Sequence, residues 1–105
     1  MGRYILKEKE MEKILALFEK DDYICQACGR NIREGQPQRA HVLSQGKYAR
    51  KKFGKEVIDS IWNWRSACSL KCNDKLALNW YTHPIEADEF ANEVRRKEDE
   101  NKTRN

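Results

Sequence analysis

Apolar residues first recur along the chain at helical spacing. Tyr4, Met11, Ile14, Leu15 and Phe18 fall near one stripe of residues 3–20, and Lys7, Glu8, Lys9, Glu12, Lys13 and Glu19 cover the rest. That pattern predicts an amphipathic helix, built from good helix formers with no Gly or Pro after Gly2. Asp21-Asp22 ends it. Shorter pieces follow. Gly35-Gln36-Pro37 reads as a turn, with residues 30–33 and 38–44 flanking it as a two-stranded ribbon in which Val42 and Leu43 suit a partly buried strand. Residues 45–47 read as loop. Residues 55–62 predict a short helix with Val57, Ile58, Ile61 and Trp62 inward, and residues 63–68 an extended segment. A further helix is expected from Ser69, with Leu70, Leu76, Ala77 and Trp80 on one side, broken at His83-Pro84. Residues 86–96 predict a last helix buried at Phe90 and Val94, and residues 97–105 a charged, frayed tail.

The cysteines change this picture from a set of weak elements to a stapled one. Cys25-Gln-Ala-Cys28 and Cys68-Ser-Leu-Lys-Cys72 are two ligand pairs separated by thirty-nine residues, and no cysteine is left over. Two short-range thiolate pairs at the ends of a long loop supply the tetrahedral shell that Zn²⁺ prefers. A full four-thiolate shell leaves no open position for catalysis, so the zinc is structural. Gly29 permits the tight turn that presents the first pair, and the three-residue spacing of the second fits the start of a helix. The N-terminus has no signal-peptide core, so the expected compartment is a reducing cytoplasm, where such pairs mean metal; two disulfides are the alternative. A chain of 105 residues is expected to form one small domain whose modest core a structural metal would support. No apolar run approaches the roughly 20 residues needed to span a bilayer, so no membrane partner is expected. Trp62, Trp64 and Trp80 are expected to pack around the zinc.

The net charge of +4 is mild, but its distribution is not. Residues 29–75 carry eleven Lys/Arg against four acids, so the centre of the chain is basic and its flanks together are acidic. Arg39, Lys47, Arg50, Lys51, Lys52 and Lys55 are the candidate contacts to a polyanion.

Taken in order, Cys25-Gln-Ala-Cys28, Ala40-His41-Val42-Leu43-Ser44, Asn63-Trp-Arg-Ser-Ala-Cys68 and Cys72-Asn73-Asp74 resemble the HNH endonucleases, a branch of the ββα-metal nucleases. The resemblance covers about residues 23–80. It implies an α+β fold: a small zinc-stapled ββα-metal domain over residues 23–80, with an N-terminal helix over 1–22 packed on it and a C-terminal helix and tail over 81–105. It further implies a metal-dependent endonuclease hydrolysing DNA phosphodiester bonds. His41 would be the general base, since neutral imidazole near pH 7 can take a proton from water. Asn73 would be a ligand of the catalytic Mg²⁺ or Mn²⁺, a hard ion suited to an amide oxygen. Asn63 would fix the loop against the histidine. The sequence departs from the family at Ala40, where an acidic or imidazole ligand normally precedes the base; Asp59 and Asp74 are the candidate carboxylates to stand in, though neither matches the motif.

Two other readings fit the same residues. One is a non-catalytic zinc-stapled module binding DNA or RNA, descended from such a nuclease. The other is a protein-interaction adaptor using the helix at 3–20. Outside the resemblance, Asn73 serves as well as a helix cap and Asn63 as an ordinary loop residue, while His83 before Pro84 reads as a surface histidine. Whether the chain acts as a monomer or a homodimer is left open by the sequence.

Overall fold

The computed structural model describes residues 8–104, with side chains described through residue 102. It is a small α+β fold: two short antiparallel strands and five α-helices. These are α1 (Glu8–Lys20), β1 (Gln38–His41), α2 (Lys47–Phe53), α3 (Lys55–Ile58), β2 (Trp64–Ala67), α4 (Leu70–Leu76) and α5 (Pro84–Arg104). No helix among the described residues is long and apolar enough to cross a membrane.

Helix α1 falls within the predicted 3–20; Tyr4 and the first predicted turn lie outside the described residues. Its buried face is centred on Leu17 and Phe18, with Ile14 half-buried, while Met11 and Leu15 are exposed. The stripe is therefore rotated from the one expected. The helix ends in a Schellman turn: Tyr23 N–H donates to Phe18 O (2.8 Å) and Asp22 N–H to Glu19 O (3.0 Å). Asp22 and Tyr23 both take positive φ (55° and 61°), an uncommon conformation for a bulky Tyr. It is held from outside, by Ile32 N–H on Tyr23 O (2.8 Å) and by the Arg33 guanidinium over the Tyr23 ring (3.7 Å).

The sheet differs from the predicted ribbon. Strand β1 pairs with β2, in the register Gln38↔Ala67, Arg39↔Ser66, Ala40↔Arg65 and His41↔Trp64. Residues 30–33 do not pair with it. Their backbone is used locally: Arg30 O accepts from Cys25 N–H (2.8 Å), and Asn31 Oδ1 accepts from Arg33 N–H (2.8 Å) to cap a 3₁₀ turn at Ile32–Glu34. Alternation along the strands puts Arg39, His41, Trp64 and Ser66 on one face and Gln38, Ala40, Arg65 and Ala67 on the other. Helix α1 covers the first face through Leu17 O, which accepts from Ser66 Oγ (3.5 Å), and through the Glu10–Arg39 ion pair (3.3 Å). The Asp21 carboxylate ties the end of α1 to β2 by accepting from Ser66 N–H (2.7 Å).

The interior is two clusters. One gathers Leu17, Phe18, Ile32, Ala40, Trp64 and Ala67 around Cys25, Cys68 and Cys72. The other packs Ala87, Ala91 and Val94 of α5 against Leu43, Ala49, Phe53, Val57 and Ile58, with Trp62, Leu78, Trp80 and Phe90 at its margin. Of the three tryptophans, then, only Trp64 lies beside the cysteines; Trp62 and Trp80 serve the second cluster.

Helix boundaries also differ from expectation: the predicted helix over 55–62 ends at Ile58 and is followed by a 3₁₀ turn at Ile61–Asn63. Helix α4 stops at Leu76, and Leu70, expected inward, is 67% exposed. The segment after it leaves the helix so that Leu78 N–H can donate to Val42 O (2.8 Å). Pro84 opens α5 rather than merely ending what precedes it, as suits proline in a first turn. Finally, the expected frayed tail is helical to Arg104, held by Ser60 Oγ donating to Glu98 (2.5 Å), Lys97 over the Trp62 ring (4.9 Å) and Arg96 pairing with Glu93 and Glu100.

Candidate metal centre and the His41 strand

Two backbone turns bring the four cysteines together. In the first, Gly29 N–H donates to Cys25 O (2.9 Å) while Gly29 itself sits at φ 82°, a left-handed position that favours glycine. In the second, Ser69 caps α4, its Oγ accepting from Cys72 N–H (3.1 Å). Cys68 thus stands just before the cap and Cys72 three residues after it, which is the physical reason for the wider spacing. The two turns are docked on one another. Gln26 N–H donates to Ser66 O (2.9 Å) and Gln36 N–H to Cys68 O (3.0 Å). Gly35 lies so close to the second turn that a Cβ there would come within 2.3 Å of Cys68 O.

All four Sγ atoms lie within 4.8 Å of one another, with Cys28–Cys68 at 3.6 Å and Cys68–Cys72 at 3.8 Å. Tetrahedral Zn–S bonds of about 2.3 Å place sulfurs about 3.8 Å apart, whereas a disulfide needs about 2.05 Å. The donor set therefore fits a zinc ion. Its electrostatics agree. Burial opposes ionisation of Cys25, but the N–H groups of Cys28, Ala27 and Cys68 aimed at its sulfur bring it down to about 6. Hydrogen bonding with Cys28, then burial and the remaining cysteines, push Cys68 up to about 12. One thiolate forms readily; a full set requires a cation among them.

His41 ends β1, half-buried, with its ring edge-on to Trp64 at 5.9 Å between centroids. Its pKa lies below the ordinary 6.5, first because burial disfavours the imidazolium, then because Arg39 and Arg50 repel it; Asp59 opposes them. At neutral pH the ring is a free base. Behind it, Asn63 is fully buried (0% exposed) and clasps the backbone two residues beyond the histidine. Oδ1 accepts from Leu43 N–H (2.8 Å), and Nδ2 donates to Leu43 O (3.0 Å) and Ile58 O (2.9 Å). Val42 N–H donates to Asn63 O (2.9 Å), extending the ladder past β1. Asn63 thus joins the end of β1, the end of α3 and the start of β2 in one buried contact.

Asn73 follows Cys72 on α4, and its amide meets Gln38, not His41: Nδ2 lies 3.5 Å from Gln38 Oε1. That is the face of β1 shared with Ala40, which is buried and offers no donor. Gln38 was not singled out in the sequence; the available signal was its alternation with Ala40, two residues on. The contact is one amide on another, Asn73 Nδ2 donating to Gln38 Oε1, and includes no carboxylate. Of the carboxylates considered as substitutes for Ala40, Asp59 is engaged by Arg50 through two bonds (3.0 and 2.8 Å), which hold its carboxyl below the usual range. Asp74 is exposed on α4. Among the basic candidates, Arg39 stacks over Trp64 (4.7 Å), and Arg50 also donates to Gln45 O (3.1 Å). Lys47, Lys51, Lys52 and Lys55 are exposed along α2 and α3. A cavity of about 510 Å³ opens between α3 and α5, lined by Lys55, Glu56, Arg95 and Glu98 among others, and includes neither His41 nor Asn73.

Models of known protein families, curated proteins and solved structures yield no match to this chain. The functional reading therefore stands on the residues and their geometry.

Proposed function

We propose that the chain is a metal-dependent HNH endonuclease that hydrolyses DNA phosphodiester bonds. The observation that carries the reading is the Asn63 clasp. A fully buried amide satisfied three times by backbone, two of those bonds at Leu43, holds the end of β1 in one conformation. Rigid placement of that kind is what a general base requires and what a surface histidine does not. Support also comes from the depressed pKa of His41, which leaves the ring unprotonated at neutral pH, and from the presentation of Asn73 by the helix that the cysteine cluster anchors.

In this reading His41 takes the proton from the attacking water. Arg39, on the same face of β1 and stacked on Trp64, would orient the phosphate on exchanging its ion pair with Glu10 for it. Asn73 would hold Mg²⁺ or Mn²⁺, which supplies charge stabilisation to the phosphate and its leaving oxygen when bound. A zinc ion held by Cys25, Cys28, Cys68 and Cys72 would fix α4 against β1 and do no chemistry. Lys47, Lys51, Lys52 and Lys55 contact flanking phosphates, so binding weakens steeply as salt rises.

Ala40 favours a second reading, a nucleic-acid-binding module without catalysis, because the position offers no donor to a second metal. Supercoiled-plasmid nicking beside a gel-shift salt titration separates the two. Salt-sensitive binding with nicking in Mg²⁺ or Mn²⁺ supports the nuclease. Binding without nicking in either metal supports the module and refutes the nuclease.

A further inference from the structure

We propose that Tyr81, stacked on Trp80, is a platform for an unpaired nucleobase, with Lys51 and Lys52 of α2 taking the phosphates beside it. The inference rests on the nucleic-acid reading above and deepens it: the substrate carries a single-stranded or flipped-out segment next to the position of attack.

An exposed tyrosine is ordinary by itself. This one is built in. Its ring lies 4.0 Å from that of Trp80 at 23°, a stacked pair, and Trp80 is fixed edge-on against buried Phe53 (6.0 Å, 89°). The backbone beneath is tied down as well. Asn79 Oδ1 accepts from Tyr81 N–H (2.9 Å) and Thr82 N–H (3.2 Å), and His83 N–H donates to Asn79 O (2.9 Å). Tyr81 is nevertheless 69% exposed, so one ring face is covered by Trp80 while the other is open to solvent. A preordered ring with one free face loses little entropy when a base stacks on it.

The surroundings say which kind of ring it would meet. Phe53 ends α2, and Lys52 Nζ lies 5.4 Å over the Phe53 ring, so positive charge stands on the ring that buttresses Trp80. Lys52 faces Asp88 only at 3.9 Å, and Lys51 forms no ion pair among the described residues. Tyr48, one helical turn before Lys52, is 65% exposed and extends the aromatic character along α2. Exposed aromatics interleaved with lysines match a chain that alternates flat bases and phosphates. Inside a duplex a paired base has both faces covered by its neighbours, so away from the duplex ends an unpaired base is the one that can stack here. Placement supports the link to the proposed site: Leu78 N–H bonds Val42 O (2.8 Å), tying this segment to the residue after His41.

The test is fluorescence anisotropy of labelled oligothymidine, oligouridine and a mixed-sequence duplex, with zinc bound and no other metal added. The single strands are expected to bind more tightly than the duplex, and Tyr81→Ala to weaken their binding roughly tenfold while leaving the duplex little changed. Tyr81→Phe is expected to keep wild-type affinity, and Lys51→Gln with Lys52→Gln to flatten the salt dependence. The thymidine and uridine arms distinguish DNA from RNA. Tyr81 is exposed, so the variants should melt like wild type, and a melting curve verifies this. Unchanged single-strand affinity in a folded Tyr81→Ala protein overturns the platform alone. A Tyr81→Phe loss as large as that of Tyr81→Ala also overturns it, since the hydroxyl and not the ring face would then be the contact. Absence of binding to all three ligands overturns the nucleic-acid reading itself.

Discussion

Replacing Asn63 with alanine tests the placement of the His41 strand quantitatively. The side chain is 0% exposed and makes three hydrogen bonds. Removing it leaves Leu43 N–H and Leu43 O without the partner each has now. Ile58 O is spared, because Trp64 Nε1 also donates to it (3.3 Å). Two orphaned buried groups cost about 1–3 kcal/mol each, and the space left by the amide adds to that. A loss of about 2–6 kcal/mol follows, against a total of about 5–15 kcal/mol for a typical domain. For a chain of this size that lowers Tm by roughly 10–30 °C. The assay is urea unfolding monitored by tryptophan fluorescence at fixed zinc, with the midpoint and slope compared. Asn63→Asp is the control. It keeps the acceptor for Leu43 N–H, loses both donors and sets a carboxylate against two carbonyls, so it should be no more stable than Asn63→Ala at neutral pH. A loss below about 1 kcal/mol for Asn63→Ala, at unchanged slope, would refute the reasoning, since water would then be satisfying Leu43 as well as the amide does.

Three other expectations follow from particular contacts. Gly35→Ala places a Cβ within 2.3 Å of Cys68 O, so the first loop must lift off the second knuckle; zinc release to a chromogenic chelator should speed up at least several-fold, and an unchanged rate would contradict the docking. Stripping the zinc from wild type should unfold or loosen the chain, read as loss of near-ultraviolet dichroism; full retention of the signal in the metal-free protein would show that the cluster staples nothing. The third concerns pH. Folded His41 binds its proton less readily than the ordinary 6.5 of an unfolded histidine, mainly through burial and then Arg39 and Arg50. Its contribution to stability is therefore present above 6.5 and lost as pH falls through that value toward the folded pKa. The acid limb of any cleavage profile should have its midpoint below 6.5 and move up in Arg39→Ala; a limb above 6.5 in wild type would exclude His41 as the base.

The cysteine cluster is legible in the sequence because its determinants are local: two short cysteine spacings and Gly29 at the first turn. The strand pairing is not, because it depends on distant partners. Gln38–His41 reads equally well against residues 30–33 until Asn31 is seen to cap its own turn and Asn63 to reach back to Leu43. Periodicity found α1 but misplaced its face. Leu17 lies at the centre of the buried stripe and Met11 and Leu15 outside it, since Asp21 and Ser66 fix the rotation of the helix. Charge alone predicts a frayed tail, yet the same charges become a ladder at helical spacing once Ser60 and Trp62 give α5 a surface to lie on. His41, Asn63 and Asn73 could be nominated only through the resemblance, and Arg39 from its place beside the His41 strand. Gln38 could not, because its proximity to Asn73 exists only in the folded chain.

The nuclease reading is tested most directly by single-turnover nicking of supercoiled plasmid in Mg²⁺ and in Mn²⁺. Wild type, His41→Ala and Asn73→Ala would be compared at equal zinc content. Wild type is expected to nick in at least one metal, with His41→Ala reduced by a factor of about 10²–10⁴ and Asn73→Ala reduced but partly restored by higher metal concentration. Equal cleavage by all three proteins in both metals, or none by any of them, would contradict it.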